Sequence, residues 1–499
     1  MDLSPELTPS HENHLHNHRH HHDFHCCLFD SLPLNHRHTR FLRKKHQPIK
    51  HRLVFFCYVN TMKILFVRPA FPATAFVNRI AVCEPLELEL LAASVKSSHD
   101  VELLDMRVDE RSLTEIISLA QPQVVAFSGY TMDVPAINQL AATVKKLSSE
   151  IIVVVGGEHA SHLPDDFGEA IDHVFQNNAL LTFPDFIDSI SSQIKPQRII
   201  REKVGAKDVF DVTPFRKLSS RYMKRYRFGA ASPISLAQLS SGCKYRCSYC
   251  SIPARQPNFQ RRSIDDSIAH LADCPTKHVL CIDSNALQDL PIAIELFTEI
   301  ARSKLGKKVM ISCRSDTIAS NPYLPDLLKQ ADVSVVAFGL ESFDNAALKK
   351  FRKGNSALNN QSAVRLCQEA GLLVRGNFII DQSYTADDFQ RFKDAVIESK
   401  IEFPSLSILT PLPGTAFFEE SRPRWTTNDY RLFDLSHSVL PTHLPPEEFH
   451  LHFRNLFSHF YGVNRLFWLA SRIPLSLAFN SLGAVAASFR RFQYNQFPV

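Results

Sequence analysis

Short apolar runs that alternate with helical patterns constrain this chain more than any other feature. The runs Ile64–Val67, Val101–Leu104, Val124–Phe127 and Ile151–Val155 read as strands covered on both faces. Such strands belong to parallel sheets packed between helices. Helical patterns lie between them at Pro85–Ser97, Leu113–Ala120 and Val134–Leu147. The order β-α-β-α-β-α-β predicts a doubly wound, Rossmann-like domain over residues 62–200.

Ligands of such sheets sit at the carboxyl ends of the strands. Those ends carry Arg68-Pro69, Ser128-Gly129-Tyr130-Thr131 and Gly156-Gly157-Glu158-His159. Small residues there let a flat ligand approach the backbone. No G-x-G-x-x-G follows the first strand, which disfavours a nicotinamide or flavin dinucleotide.

The cysteines point to metal. Cys243, Cys247 and Cys250 fall within eight residues of a large chain, spaced C-x3-C-x2-C, with Tyr249 before the last. That clustering suits a metal site in a reducing compartment better than a disulfide scaffold. Three thiolates on one tight loop hold an iron–sulfur cluster with one iron left open. The alternative is a structural zinc knuckle, which wants four ligands. Cys274 and Cys281 lack paired spacing, and no H-x3-H follows locally. Cys281 lies in an apolar strand and reads as core, and Cys83, Cys313 and Cys367 are assigned no chemistry.

The cysteine loop follows a strand at Ile234–Leu239, and further strands follow at Val279–Asp283, Val309–Ser312, Val333–Phe338, Leu373–Ile380 and Ser405–Leu409. Helical patterns separate them at Ile264–Leu271, Leu287–Arg302, Pro322–Lys329, Ala357–Ala370 and Ala386–Ser399. This period agrees with a partial (β/α)6 barrel over residues 230–415, with the loop at the carboxyl end of its first strand.

Together these motifs resemble the radical SAM family, in the branch preceded by a cobalamin-binding domain. The first-domain match rests on Lys63-Ile64-Leu65-Phe66-Val67-Arg68-Pro69, Ser128-Gly129-Tyr130-Thr131 and Val155-Gly156-Gly157-Glu158-His159-Ala160. The fold class implied is α/β: a Rossmann-like cobalamin-binding domain, a partial (β/α)6 radical SAM barrel and a mainly helical C-terminal region over 416–499. The cofactors implied are a [4Fe–4S] cluster, S-adenosyl-L-methionine (SAM) and cobalamin. Cys243, Cys247 and Cys250 would hold the cluster. Tyr249, Asp283, Ser312, Arg314 and Glu341 would contact SAM, Glu341 lying in a Gly339-Leu340-Glu341-Ser342 turn. Arg68, Pro69, Ser128, Gly129, Tyr130, Thr131, Gly156 and Gly157 would bed the cobalamin.

Departures from the family pattern are visible. Asp283-Ser284-Asn285 stands where a Gly-Gly-Glu is usual, and Asp381 where relatives often have Gly. Gln176-Asn177-Asn178-Ala179 replaces a Gly-Glu-Gly-Glu turn. The D-x-H-x-x-G pattern that supplies histidine to cobalt is missing, so His159 and His162 are expected to be loop residues.

Within the family, Arg68-Pro69-Ala70-Phe71-Pro72-Ala73-Thr74, Asn78-Arg79, Cys83-Glu84-Pro85-Leu86-Glu87, Leu104-Asp105-Met106-Arg107 and Val439-Leu440-Pro441-Thr442 look like the hopanoid C-3 methylase group. The resemblance implies a methyltransferase: SAM cleavage yields a radical that removes hydrogen from an unactivated carbon, and methylcobalamin supplies the methyl group. It also implies a lipid-like small-molecule substrate and an external electron donor of the flavodoxin or ferredoxin type. Two other readings stay open: a radical SAM enzyme of another reaction type, such as cyclisation or oxidation, and a zinc-knuckle binding protein.

The ends of the chain differ from its body. Residues 1–61 hold about half of the 23 histidines and no hydrophobic periodicity, and read as a disordered leader or upstream sequence translated from a wrongly chosen start, with metal capture by neutral imidazoles as the alternative. Residues 201–229 read as a linker. At the other end, Phe449–Phe460 and Arg465–Ser471 suggest amphipathic helices, and Ile473–Phe489 is uncharged yet just short of a spanning helix. That last stretch reads either as a peripheral membrane contact or as a cap over the barrel mouth. Net charge is only +5 over 56 basic and 51 acidic residues, so nucleic acid is not an expected partner. The expected location is cytoplasmic, with the inner membrane face as the peripheral alternative.

Overall fold

The structure is a computed structural model that describes residues 61–72, 81–192, 196–202, 209–255, 258–462, 465, 468–469 and 471–472. The expected leader and the uncharged stretch Ile473–Phe489 lie outside the described residues.

Among the described residues there are two six-stranded parallel sheets. The first contains β1 (Lys63–Arg68), β2 (Asp100–Asp105), β3 (Val124–Gly129), β4 (Ile152–Gly157), β5 (His173–Gln176) and β6 (Ile199–Arg201), in the order β2-β1-β3-β4-β5-β6. Its helices are α1 (Leu86–Val95), α2 (Leu113–Ala120), α3 (Val134–Leu147), α4 (Glu158–His162) and α5 (Thr182–Ser191). The unbroken apolar runs are explained by double coverage. Leu65 and Val67 pack with residues of α2 and α3 on one face, and Ile64 and Phe66 with α1 and α5 on the other. Ser112 caps α2 by accepting from the Glu115 N–H, and Pro135 sits in the first turn of α3, where its missing N–H costs nothing.

The second sheet contains β7 (Ile234–Ala237), β8 (His278–Cys281), β9 (Lys308–Cys313), β10 (Val333–Glu341), β11 (Leu373–Ile380) and β12 (Phe403–Ile408), paired in sequence order. β7 and β12 form the two edges, so the barrel is partial. The helices α6 (Ile264–Ala272), α7 (Leu290–Ser303), α8 (Leu324–Gln330), α9 (Ala357–Glu369), α10 (Ala386–Glu398) and α11 (Pro446–Tyr461) cover its outer face. Two boundaries differ from expectation. β7 stops at Ala237, because Ser240–Ser241 pairs antiparallel with Gln260–Arg261. α7 starts at Leu290, because Pro291 is tolerated only in a first turn. The strands β5 and β6 and a short helix at Asn345–Lys350, capped by Asp344, were not singled out from sequence.

The chain between the two sheets is packed. Tyr222 and Tyr226 are 4% and 0% exposed, and their core continues from Phe66 and Phe183 to Ile234 and Met310 of the barrel. The strand pair Ala81–Val82 and Arg227–Phe228 adds a backbone link. A buried polar group lies beside it. Glu84 accepts from Arg216 Nη1 at 2.6 Å and from the Leu236 N–H of β7 at 2.5 Å. Glu89 accepts from the Ser219 hydroxyl, and its other oxygen is 3.8 Å from Arg216. Burial raises both carboxyls. The Arg216 guanidinium opposes this at Glu84, while the nearby Glu84 carboxylate adds to the effect at Glu89, which is pushed up to about 8.

Candidate active site

The cysteine loop is anchored through its backbone. Gly242 opens it with φ +79°, a left-handed conformation that favours glycine. The Ser248 N–H donates to Phe351 O at 3.1 Å, and the Lys244 N–H donates to Gln288 Oε1 at 2.9 Å. The guanidinium of Arg314 lies 3.8 Å from the Tyr245 ring centroid. Cys243, Cys247 and Cys250 are free thiols, all half-buried. Burial pushes the Cys250 thiol up to about 11, and Cys247 and Cys243 add to that push. A thiolate at Cys250 therefore needs a cationic centre to stabilise it. Among the described residues no three His, Cys, Asp or Glu are arranged to hold a single metal ion. A [4Fe–4S] cluster makes a different demand, since each thiolate binds a different iron.

The residues expected around SAM are divided by the structure. Asp283 is 3% exposed and turned inward, accepting from Ser240 Oγ at 2.5 Å and from the Leu239 N–H. Burial pushes its carboxyl up to about 6 against those hydrogen bonds. It shapes the turn from β7 into the cysteine loop. Asn285, two residues on, is 1% exposed, and neither its amide oxygen nor its nitrogen has a partner. A buried unpaired polar group costs about 1–3 kcal/mol, which a polar ligand would relieve. Ser312 is half-buried, and its carbonyl accepts from the Ala286 N–H. Arg314 is engaged already, with Asp316 at 2.7 Å and the carbonyls of Lys353 and Gly354 at 2.9 Å.

Tyr249 and Glu341 do come together. Tyr249 Oη donates to Glu341 Oε1 at 2.7 Å, and Lys353 Nζ donates to the same oxygen at 2.8 Å. Glu341 adopts φ +61° at a register shift between β10 and β11. A Cβ on Gly339 would lie 2.6 Å from both Glu341 Oε1 and Lys353 Nζ, so glycine makes room for the pair. Sequence reasoning missed Lys353. It sits in the run Lys349-Lys350-Phe351-Arg352-Lys353, which has the pattern of a solvated face.

At the first sheet, strand register aligns the expected ligand-facing residues: Ser128 lies beside Gly156, and Gly129 beside Gly157. Gly157 has φ +111°, and a Cβ there would meet Gly129 O at 2.5 Å. The two strand ends therefore present bare backbone. Arg68 is buried, donates to Ser128 O at 2.7 Å, pairs with Asp133 at 3.3 Å and stacks under the Tyr130 ring at 4.6 Å. Pro69 is buried behind it, while Tyr130 is 54% exposed. Thr131 is buried, 3.3 Å from His159 Nδ1, and His159 Nε2 is 3.1 Å from Asp166. His159 thus lies on the short helix α4 rather than in a loop, with both ring nitrogens engaged.

The two strand-end regions touch. Ser251 Oγ donates to Glu158 Oε1 at 2.7 Å, Tyr430 Oη donates to Asp166 at 2.7 Å, and the His162 ring packs against Gly414.

Comparison with known proteins agrees with this arrangement. The B12 binding domain family model matches residues 75–186, and the Radical SAM superfamily model matches 238–396. The chain is 28% identical over 405 residues to the hopanoid C-3 methylase of Methylococcus capsulatus, covering 78% of each protein. It is 26% identical over 395 residues to the bacteriochlorophyllide d C-12(1)-methyltransferase of Chlorobaculum tepidum, covering 75% of this chain and 82% of that one. Among solved structures, the cobalamin-dependent radical enzyme OxsB matches with a TM-score of 0.64 at 15% identity, over 86% of this chain and 72% of that one. The methyltransferase TsrM from Kitasatospora setae matches with 0.57 at 17% identity, over 74% and 76%. The chain carries a B12-binding domain followed by a radical SAM domain. It is an enzyme of the radical SAM methyltransferase kind, with a [4Fe–4S] cluster, SAM and cobalamin as cofactors. The residues present fit that set: three thiols on one anchored loop, an unpaired buried amide in the turn after β8, and a glycine-lined strand end in the first sheet.

Proposed function

We propose that this enzyme methylates an unactivated carbon of a polycyclic, lipid-like molecule, and that C-3 of a hopanoid is that carbon. The similarity to the hopanoid C-3 methylase, running through both domains, carries the reading. The bacteriochlorophyllide methyltransferase similarity supports a large, mostly apolar substrate class. Ile282, just after β8, exposes 42% of its surface, apolar area suited to such a molecule.

In this reading Cys243, Cys247 and Cys250 hold the cluster, and Asn285 and Ser312 meet SAM. Asp283 and Arg314 set the walls around them, and Lys353 fixes the Glu341 carboxylate beside Tyr249. Arg68, Pro69, Ser128, Gly129, Tyr130, Thr131, Gly156 and Gly157 bed the cobalamin. When bound, these cofactors supply a hydrogen-abstracting radical and a transferable methyl group. The chain holds the two reacting ends at a fixed separation and keeps water from the mouth of the barrel. Lys244 and Arg246 are exposed on the cysteine loop and suit an acidic electron donor of the flavodoxin or ferredoxin type. Among the described residues no helix is long and apolar enough to cross a membrane. A lipid substrate would be met by peripheral contact.

A second reading, cyclisation, is supported by 23% identity over 417 residues to the anaerobic magnesium-protoporphyrin IX monomethyl ester cyclase of Synechocystis, covering 77% of this chain and 83% of that one. The test is a lipid mass spectrum. The full chain is expressed in a hopanoid-producing strain that lacks C-3 methylation, beside a Cys243→Ala control. A C-3 methylated hopanoid absent from the control is expected. Unchanged hopanoids from enzyme loaded with all three cofactors would remove the hopanoid assignment.

A further inference from the structure

We infer that Glu158 and Ser251 form a spacer that sets the distance between the cobalamin bed and the cysteine loop, and thereby couples hydrogen removal to methyl transfer. The inference rests on the proposed reading that both cofactors act on one substrate. Its basis is where the two residues stand. Glu158 directly follows Gly157 at the end of β4, and Ser251 directly follows Cys250. Their hydrogen bond, at 2.7 Å, joins residues 93 positions apart and involves a carboxylate, the stronger kind of acceptor.

The same short helix braces a second point of the barrel. His162, one turn after Glu158, lies 3.8 Å from the same carboxylate oxygen. Its ring packs on Gly414, which has φ +82° and no room for a Cβ on that side. Gly414 belongs to the turn that follows β12. Helix α4 therefore touches the loop after the first barrel strand and the loop after the last. A small rotation of one domain against the other would have to break the Glu158–Ser251 bond or drive His162 into the Gly414 turn. Neither Glu158 nor Ser251 is among the residues read as holding a cofactor, so both are assigned a positioning role. Removing the bond leaves each cofactor bound but loosens their separation. A substrate radical formed out of reach of the methyl donor takes an electron from the external donor and a proton from water to return to substrate, and SAM is consumed without methylated product.

The test uses the full-length, fully loaded enzyme as wild type, Glu158→Ala, Ser251→Ala, the double variant and Ser251→Thr. Iron, sulfide and cobalamin contents are expected to match wild type. The dipolar coupling between the reduced cluster and cob(II)alamin, read by pulsed EPR, should give a broader distance distribution in both Ala variants. The 5′-deoxyadenosine released per methyl transferred should rise about tenfold in each, as for loss of a charge-assisted bond. The double variant should be no worse than either single one, because both remove one interaction. Ser251→Thr keeps the hydroxyl and should restore both readouts. A wild-type distance distribution and product ratio in both Ala variants would overturn the inference, as would loss of either cofactor from them. If no variant, wild type included, methylates any hopanoid, the substrate reading fails while the EPR distances still decide the spacer.

Discussion

The carboxyl ends of the two sheets solve the same problem in opposite ways. At the first sheet the polar side chains largely pair with one another, although Asp133 keeps one buried oxygen without a hydrogen bond. Arg68 is spent on Asp133 and Ser128 O, and Thr131, His159 and Asp166 form a closed chain. Among the described residues, backbone at Gly156-Gly157 and the Tyr130 ring remain to face a ligand. At the barrel mouth Arg314–Asp316 and Tyr249–Glu341–Lys353 are paired too, but other donor atoms stay open. Its three thiols and the Asn285 amide lie among backbone anchors, and the amide has no partner. The first region is built to receive a broad, flat ligand by shape, and the second to bind through donor atoms. A site of the first kind is sensitive to added volume, and one of the second to lost atoms.

The largest expected effect tests the second region. Replacing any one of Cys243, Cys247 or Cys250 by Ala should abolish the cluster and all methyl transfer, read as iron and sulfide content and product. Cobalamin should remain bound. Its loss from these variants would break the contrast. The complementary change is Gly157→Val, which places a branched side chain at φ +111° against Gly129 O. It should lower stability by about 3 kcal/mol and empty the cobalamin site, while the cluster still reconstitutes.

A third variant lies outside both regions. Because Glu89 is held protonated well above its ordinary pKa, its contribution to stability is fully present below about pH 4.5 and is lost as pH rises toward about 8. Glu89→Gln keeps the acceptor for Ser219 and should flatten that decline, gaining roughly 2 kcal/mol at pH 9 in chemical denaturation. Cofactor content should not change, and a change would show that the buried group reaches one of the sites. The smallest effect sharpens the contrast. Asn285→Leu removes an amide that no protein group satisfies, so SAM affinity should fall about tenfold while unfolding free energy stays level or rises slightly. A large loss of stability instead would mark Asn285 as structural.

Sequence reading carried the architecture because its signals were local. α2 and α3 span the residues expected, and β11 does too, since periodicity and flanking breakers decide such elements. The thiols were legible for the same reason: a loop of fixed spacing keeps its ligands together in any fold. What escaped was long-range. Lys353 meets Glu341 only through the turn after β10, and Ser251 meets Glu158 only when the two sheets face each other. Asp283 was read as a ligand contact, but a carboxylate at a strand end either faces the ligand or turns into the loop beneath it. Only the Ser240 hydroxyl and the Leu239 N–H decide between the two. Asn285 was quoted beside it without being singled out, because an unpaired amide is visible only against its neighbours.

The apolar core that runs from Phe66 through Tyr226 to Met310 has a consequence for how this molecule can be taken apart. Domains with separate interiors melt in steps and can be recombined as cassettes. Here each sheet keeps a cluster of its own but a third is shared by both, so calorimetry should record one cooperative transition across residues 62–462. The first sheet expressed alone would leave Tyr222, Tyr226 and their neighbours exposed to water and prone to aggregate. Exchanging its cofactor half for that of a relative would require the tyrosine-bearing segment between the sheets to travel with it. The unit of inheritance is then the fused pair, and new substrates are reached by altering the rim rather than by shuffling modules.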